Sequence, residues 1–183
     1  MYQSPPPQAH VLCLDEMGPV SAKTYSAVRL SPDGHQPKVE ADYGRRAKLW
    51  VFGALEPQTG AAFTSCAQRR RSCDFVVFLE QLLHQWPAGE LFLILDNLSI
   101  HRSLEVRLWA LANPRVRFLF QPTYAPWLNL IEPWWKTLRS LALKGFRFEG
   151  AKEIMTAIGQ ATSYWNDHCH PYRWRKSFSS SYL

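Results

Sequence analysis

The 183-residue chain is 46% hydrophobic with a formal charge of +6, which fits one globular domain with a sizeable core. Four scattered cysteines exclude a disulfide framework, and the lack of an apolar signal segment or a membrane-length apolar run excludes export and membrane insertion, so we expect a cytoplasmic protein. Residues 1–90 hold nine Lys or Arg and nine Asp or Glu, but residues 91–183 hold twelve and six; this basic, aromatic-rich half suits a nucleic acid, although a merely soluble basic protein would look similar.

The first half of the chain predicts a group of antiparallel strands. Residues 1–9 are proline-rich and typical of a lead-in, and HVLCLDEM predicts a buried strand that finishes near Asp15. SAKTYSAVRL alternates as a second strand. The segment AKLWVFGALEPQTGAAFTSC predicts a third strand, a turn at 56–60 and a return strand. Sequential strands with short turns favour an antiparallel meander.

The second half changes to helical spacing interrupted by buried strands. CDFVVFLEQLLHQW predicts a helix capped by Ser72, and GELFLILDN predicts a strand covered on both faces. HRSLEVRLWALAN predicts a helix, VRFLFQP a strand, and the remainder two helices, at about 129–143 and from GAKEIMTAIGQATSYWNDH. Strands followed by alternating helices and strands predict an α/β fold with a mixed sheet flanked by helices.

Two of the buried strands end in carboxylates, at Asp15 and Asp96. A carboxylate at the end of an apolar strand is poorly solvated and costs free energy unless a cation compensates it. If the two strands are neighbours, the two aspartates come together at one edge of the sheet. Glu16 would point to the opposite face of its strand, so we exclude it from this cluster.

Glu132 is the third candidate acid, in the apolar segment PTYAPWLNLIEPWWKTLR. With Asn129 as N-cap it occupies the third helical position, so a capping role is the alternative to a ligand role. Glu132, Lys136 and Arg139 share one helix face, which places cations where a phosphate backbone would pass.

Three hard oxygen donors from separate elements suit Mg²⁺ or Mn²⁺. Two such ions, about 4 Å apart, would activate a water or a 3′-hydroxyl and stabilise the leaving oxygen of an in-line phosphoryl displacement. This chemistry requires no covalent nucleophile.

Three blocks of the sequence resemble a known family. LDEMG, LILDNLSIHR and PTYAPWLNLIEPWWKTLR are similar to the signature blocks of the catalytic domain of mariner-type transposases, especially bacterial insertion-sequence members known as DDE superfamily endonucleases. The resemblance extends from about residue 10 to about residue 175. It implies an RNase H-like fold, DNA cleavage at element ends with two Mg²⁺ ions, for which Mn²⁺ can substitute, and strand transfer into target DNA.

The resemblance also assigns roles to residues. Asp15, Asp96 and Glu132 match the metal-binding triad of the family. Asn97 and His101 match supporting positions that orient the second aspartate or contact DNA, and a helix cap is the equal alternative for His101. The residues that match the block before the catalytic helix are expected to shape a turn: Tyr124, Pro126 and Asn129.

The resemblance leads us to expect a catalytic domain at 10–183 without the N-terminal helix-turn-helix module of full-length transposases. The expected partners are terminal inverted repeats, target DNA, further copies of the chain in a homodimer or larger assembly, and a separately encoded helix-turn-helix subunit. Phosphate contacts are expected from basic residues: Arg45, Arg46, Lys136, Arg139 and the run Arg69–Arg71, for which a solvated loop is the alternative.

Two other functions are compatible with parts of the sequence. A catalytically silent remnant or DNA-binding regulator would keep the fold and the basic surface without turnover. A host nuclease of the RNase H-like class, acting on RNA hybrids, would share the metals but not the LNLIEPWW block.

Overall fold

A mixed five-stranded sheet forms the centre of the computed structural model, which describes residues 6–25, 47–122 and 128–172. The strands are β1 (Ala9–Ser21), β2 (Lys48–Leu55), β3 (Ala62–Ala67), β4 (Glu90–Leu95) and β5 (Val116–Phe120). The helices are α1 (Ser72–Gln85), α2 (Leu104–Ala112), α3 (Ile131–Ala142) and α4 (Ala151–Asp167), with a 3₁₀ turn at Ser99–Arg102.

The strand order β3-β2-β1-β4-β5 follows from two kinds of connection. β1, β2 and β3 are antiparallel neighbours, as expected for a meander, whereas β4 and β5 run parallel to β1. Parallel strands require crossovers, and α1 and α2 supply them. The prediction of a mixed sheet flanked by helices is confirmed. β1 is the central strand, and one of its two neighbours is β4, the strand that Asp96 follows.

The sheet carries one apolar cluster on each face, because side chains alternate along β1. Leu12 and Leu14 pack with α1 and α2, whereas Cys13 and Met17 pack with α3 and α4. Trp134 and Trp135 of α3 are 0% and 2% exposed, so α3 lies firmly on this second face. This alternation decides which side of the sheet each acid of β1 faces.

Several predicted boundaries were wrong. β1 continues to Ser21 instead of finishing near Asp15, so Asp15 lies within the strand. The predicted second strand is not separate from it: Ser21 belongs to β1, Thr24 makes one isolated bridge to Arg147, and residues 26–46 lie outside the described residues. The helix expected from 101 begins at Leu104, after the 3₁₀ turn.

The cap of α1 also differs from the prediction. Arg71, not Ser72, is the N-cap residue, and it forms a capping box with Asp74. No helix of the described residues is long and apolar enough to span a bilayer.

Candidate active site

Asp15 faces α3 from the middle of β1. It lies between Cys13 and Met17, which pack in the α3 and α4 cluster, and its side chain follows the same direction. Trp135 Nε1–H donates a 2.8 Å hydrogen bond to Asp15 Oδ2. One turn of α3 therefore fixes the orientation of this carboxylate.

Gly53 makes that contact possible. It lies directly opposite Asp15 on β2, and a Cβ atom there would come within 2.3 Å of the Trp135 ring. Only a residue without a side chain leaves room for the indole beneath the strand. By contrast, the buried Nε1–H of the neighbouring Trp134 has no hydrogen-bond partner among the described residues.

Burial raises the pKa of Asp15 to about 7 from an ordinary value of 3.8. The hydrogen bond from Trp135 opposes the rise, but the negative charges of Glu16 and Glu132 add to it. The ionised carboxylate is thus destabilised in the metal-free protein. A cation at this position would relieve that cost.

Asp96 follows β4 and lies level with Asp15. The last paired positions of β1 and β4 are Cys13 and Ile94, and each aspartate comes two residues later. The expectation that the two strands are neighbours is confirmed. Asp96 Oδ1 accepts a 3.0 Å bond from the Leu98 N–H. Burial raises the pKa of Asp96, but bonds from His101 and Leu98 outweigh burial and hold it below its ordinary value.

His101 joins Asp96 to a second carboxylate. Its Nδ1 lies 3.0 Å from Asp96 Oδ1, and its Nε2 lies 2.7 Å from Glu16 Oε1. The imidazole is 2% exposed and packs on Phe75 with the ring centroids 4.6 Å apart. Burial lowers the pKa of His101, yet the bonds to Asp96 and Glu16 outweigh burial and raise it to about 9. At neutral pH the ring is an imidazolium that donates to both acids.

Glu16 is the functional candidate that sequence reasoning excluded. Its predicted orientation is correct, since it faces away from Asp15, but that face holds His101. Its side chain is 2% exposed and its Oε2 has no hydrogen-bond partner among the described residues. The sequence signal for this contact is the Asp15–Glu16 pair on β1 together with His101 after β4. A local pattern does not reveal the contact, because Glu16 and His101 are 85 positions apart.

Glu132 is exposed near the start of α3. It precedes Trp135 by three residues, so the two side chains share one side of the first turns, and its charge acts on Asp15. The predicted N-cap was wrong: α3 begins at Ile131 with Leu130 as N-cap, which makes Glu132 the second helical residue. Pro133 is accommodated in the first turn.

Asn129 ties the start of α3 to β1. It is 5% exposed, and its Nδ2–H donates a 2.8 Å bond to the Leu14 carbonyl, beside Asp15. Its Oδ1 accepts from the Ile131 N–H at 3.4 Å. Asn129 therefore connects two of the elements that present the acids. Tyr124 and Pro126 lie outside the described residues.

Asn97, another predicted supporting residue, connects the segments that follow two neighbouring strands. Asn97 Nδ2–H donates a 2.6 Å bond to the Gln121 carbonyl and thereby joins the ends of β4 and β5. His101 does not cap α2, because the Ser103 hydroxyl accepts from the Val106 N–H at 3.3 Å.

The basic residues predicted to contact phosphate lie on different parts of the structure. Lys136 and Arg139 are exposed on the Glu132 face of α3. Arg70 lies over the Trp50 ring at 4.6 Å and its charge lowers the pKa of Asp96, so it is near the acids. Arg71 is paired with Asp74 at 2.9 Å and Arg69 is exposed. Arg45 and Arg46 lie outside the described residues.

Asp15 and Asp96 lie level on neighbouring strands and the charge of Glu132 acts on Asp15, but the three acids do not form a closed ligand shell. Within residues 6–25, 47–122 and 128–172, no group of three or more His, Cys, Asp or Glu side chains has the arrangement of a metal site. The donors nevertheless fit a hard divalent cation, because Asp15, Asp96 and Glu132 offer carboxylate oxygens and Asp15 is under-compensated.

Residues 10–155 match the family described as DDE superfamily endonuclease. The chain belongs to this family. Among curated proteins, this DDE domain is similar to the insertion element IS630 uncharacterized 39 kDa protein of Shigella sonnei, with 32% identity over 135 residues. That match covers 67% of the chain and 39% of the relative, so the chain spans about two fifths of the relative's length.

Solved structures show that this DDE domain has the predicted RNase H-like fold. The Mos1 transposase in its paired-end complex with the left transposon end gives a TM-score of 0.58 at 14% identity, covering 85% of this chain and 53% of that one. The catalytic core domain of BIV integrase gives 0.57 at 11% identity, covering 89% and 90%.

The raised pKa of Asp15 predicts an effect of Asp15→Asn on stability in EDTA. When the pKa of a group is higher in the folded state than in the unfolded state, the group contributes stability that is fully present below the unfolded pKa, here 3.8. That contribution is lost as the pH rises through the folded pKa of about 7. At pH 8 the substitution removes a poorly solvated charge and should increase the free energy of unfolding by about 1–3 kcal/mol. At pH 5 the gain should be smaller.

The measurement is urea unfolding at both pH values, with Asp167→Asn as the control. Asp167 is an exposed acid at the end of α4, so its replacement also removes one charge but should not produce a gain that grows with pH. An Asp15→Asn protein that is less stable than the unmodified chain at pH 8 would contradict the account.

The two bonds of His101 predict its titration. In Glu16→Gln the imidazolium loses one charged acceptor, so the pKa of His101 should fall from about 9 to below about 8. Proton NMR of the imidazole in EDTA measures this directly. Glu80→Gln is the matched control, since Glu80 of α1 accepts from Trp109 Nε1–H at 2.6 Å and is not among the groups that shift the pKa of His101. An unchanged His101 titration in Glu16→Gln would refute the pairing.

Proposed function

We propose that this chain is a metal-dependent DNA transposase catalytic domain in which Asp15, Asp96 and Glu132 hold the metal and act on a phosphodiester. The observation that carries the proposal is the under-compensated Asp15 in the middle of β1, placed level with Asp96 at the carboxyl end of β4. Membership of the DDE superfamily endonucleases supports the assignment of a nucleic-acid-cleaving enzyme.

Each acid has its own means of positioning. Trp135 holds Asp15 from below, and His101 holds Asp96 from the opposite face of the sheet. Asn129 fixes the segment before Glu132 against the Leu14 carbonyl. The contacts of Trp135 and His101 restrict the orientations of the Asp15 and Asp96 carboxylates, whereas Asn129 fixes the backbone that leads to Glu132. Such restriction favours binding of an ion, because little side-chain freedom is left to lose.

Two Mg²⁺ ions, for which Mn²⁺ can substitute, would supply an activated water or 3′-hydroxyl and stabilise the leaving oxygen. The chain supplies the ligands, and the surroundings of Asp15 and Asp96 determine which of them carries a proton at neutral pH. Asp96 is ionised at neutral pH, whereas Asp15 with its pKa of about 7 is only partly so. Asp15 would therefore give up its remaining proton on becoming a ligand.

DNA is the proposed substrate because exposed cationic side chains lie beside the acids. Lys136 and Arg139 lie on the face of α3 that carries Glu132, and Arg70 acts on Asp96 from the loop before α1. A phosphate backbone that reaches the acids would pass these side chains. The structurally similar Mos1 transposase is seen in complex with a transposon end, which supports DNA as the proposed partner.

The finer expectations belong to the same proposal. They are cleavage at terminal inverted repeats, strand transfer into target DNA, a homodimer or larger synaptic assembly, and a helix-turn-helix subunit that recognises the ends. The catalytic unit is proposed to extend over 10–183. Arg45 and Arg46 remain proposed DNA contacts outside the described residues.

The test is nicking of supercoiled plasmid by the purified chain in Mg²⁺ or Mn²⁺. The unmodified chain should nick the plasmid, and Asp96→Asn should lose nicking to the level of buffer because a ligand becomes neutral. Asp167→Asn, which removes an exposed acid at the end of α4, should nick normally.

The other outcomes identify the alternatives. Nicking by Asp96→Asn would refute the triad. DNA binding without any nicking by the unmodified chain would favour the silent regulator. Faster cleavage of an RNA–DNA hybrid than of duplex DNA would favour the nuclease that acts on hybrids.

A further inference from the structure

A basic pocket of about 520 Å³ lies beyond the acids on the α3 side of the sheet. We use the name basic pocket for the space that Lys23, Arg139 and Lys144 line together with the end of β1. No Asp or Glu is among its lining residues in the described part of the chain. The pocket therefore concentrates positive charge in one concavity.

Backbone hydrogen bonds fix both walls of the basic pocket. The Tyr25 N–H donates to the Phe146 carbonyl at 2.8 Å, and the Gly145 N–H donates to the Tyr25 carbonyl at 2.7 Å. The Phe148 N–H donates to the Lys23 carbonyl at 3.2 Å. The segment after β1 is thus tied to the segment after α3, and Lys23 and Lys144 are held facing the same space.

The three cations of the basic pocket are not neutralised from within the described residues. Arg139 Nε–H contacts Met17 Sδ at 3.2 Å, and the Lys23 ammonium lies 5.2 Å from the Tyr25 ring centroid. By contrast, Arg117 is paired with Glu90 at 3.1 Å on the far edge of the sheet. Like charges around one concavity repel each other, and an anion removes that repulsion.

The basic pocket is aligned with the acids. Met17 lines it and lies two residues after Asp15 on the same face of β1, and Arg139 lies seven residues after Glu132 on the same face of α3. At 1.5 Å per residue, the separation along α3 is roughly 10 Å. With 3.4 Å per nucleotide along one DNA strand, this corresponds to about three nucleotides.

We infer that the basic pocket binds a backbone phosphate of the DNA strand that is cleaved at the acids, about three nucleotides from the scissile phosphate. The inference rests on the proposed function and adds Lys23 and Lys144 to the DNA-binding surface. Lysine ammonium groups bind phosphate as point charges without reading the base sequence. The pocket therefore positions the strand and contributes no sequence preference.

The experiment measures the affinity of the chain for a labelled duplex across a series of NaCl concentrations. Lys23→Met and Lys144→Met remove one charge each and keep an unbranched side chain. Each should weaken binding and make the slope of log K against log[salt] shallower by about 1, because one fewer phosphate is neutralised. The double variant should lose about 2 from the slope.

Arg107→Met is the matched control, because Arg107 is exposed on α2, on the opposite face of the sheet. It should leave the slope unchanged. Lys144→Arg should retain it, since the charge is kept. Thermal unfolding of each variant checks that the fold is intact.

Slopes that are unchanged in both lysine variants, while the unmodified chain binds with a steep salt dependence, would overturn the basic pocket and leave the proposed function standing. Equal losses in Arg107→Met would also overturn it, because the effect would then reflect net charge. An unmodified chain that binds no duplex at low salt would overturn the basic pocket and the proposed DNA substrate together.

Discussion

The structure depends on how buried negative charge is compensated where the carboxyl end of β4 meets the middle of β1. Asp96 and Glu16 share one buried imidazolium, His101, which approaches from the α1 side. Asp15 faces the other side, where the neutral indole of Trp135 donates the one side-chain hydrogen bond that Asp15 accepts from the described residues. One side of the strand therefore holds a buried cation, and the described residues supply none that bonds to Asp15 on the other side. Glu132 also approaches that second side, where a cation would compensate the acids.

This asymmetry follows from elementary strand geometry. Successive residues of β1 point to opposite faces, so an Asp-Glu pair necessarily delivers one acid to each helix layer. Glu16 is used to hold a protonated histidine, and that histidine keeps Asp96 ionised. Asp15 is left with a high pKa. Two chemically similar neighbours thus acquire different roles from their surroundings alone.

The sequence predicted the elements better than the contacts between them. Apolar runs ending at Asp15 and Asp96 were visible, and so was the helical face of Glu132, because these depend on local periodicity. The pairing of β1 with β4 was assumed, and the structure supports it. The extension of β1 to Ser21 was missed, because the apolar run of HVLCLDEM ends in acids and was interpreted as a short buried strand.

The missed contacts are all remote in sequence. Gly53 lies opposite Asp15 only because of the register of β1 and β2, and no local pattern encodes that register. Glu16 meets His101 through the sheet order, and Asn129 reaches Leu14 across 115 positions. Trp134 and Trp135 are adjacent and both buried, yet within the part of the chain that the structure describes only Trp135 reaches an acceptor. Which of two neighbouring indoles contacts an acid depends on the rotation of α3 against the sheet.

The most direct test is a calorimetric titration of Mn²⁺ at pH 7 into the unmodified chain, Asp15→Asn, Asp96→Asn and Glu132→Gln, in buffers of different ionisation enthalpy. We predict that the unmodified chain binds with release of protons, because Asp15 must give up its proton to become a ligand. Asp15→Asn should bind weakly and release fewer protons, and the other two substitutions should weaken binding as well. Binding of equal strength in all four proteins, or no binding in any of them, would contradict a metal site built from these three acids.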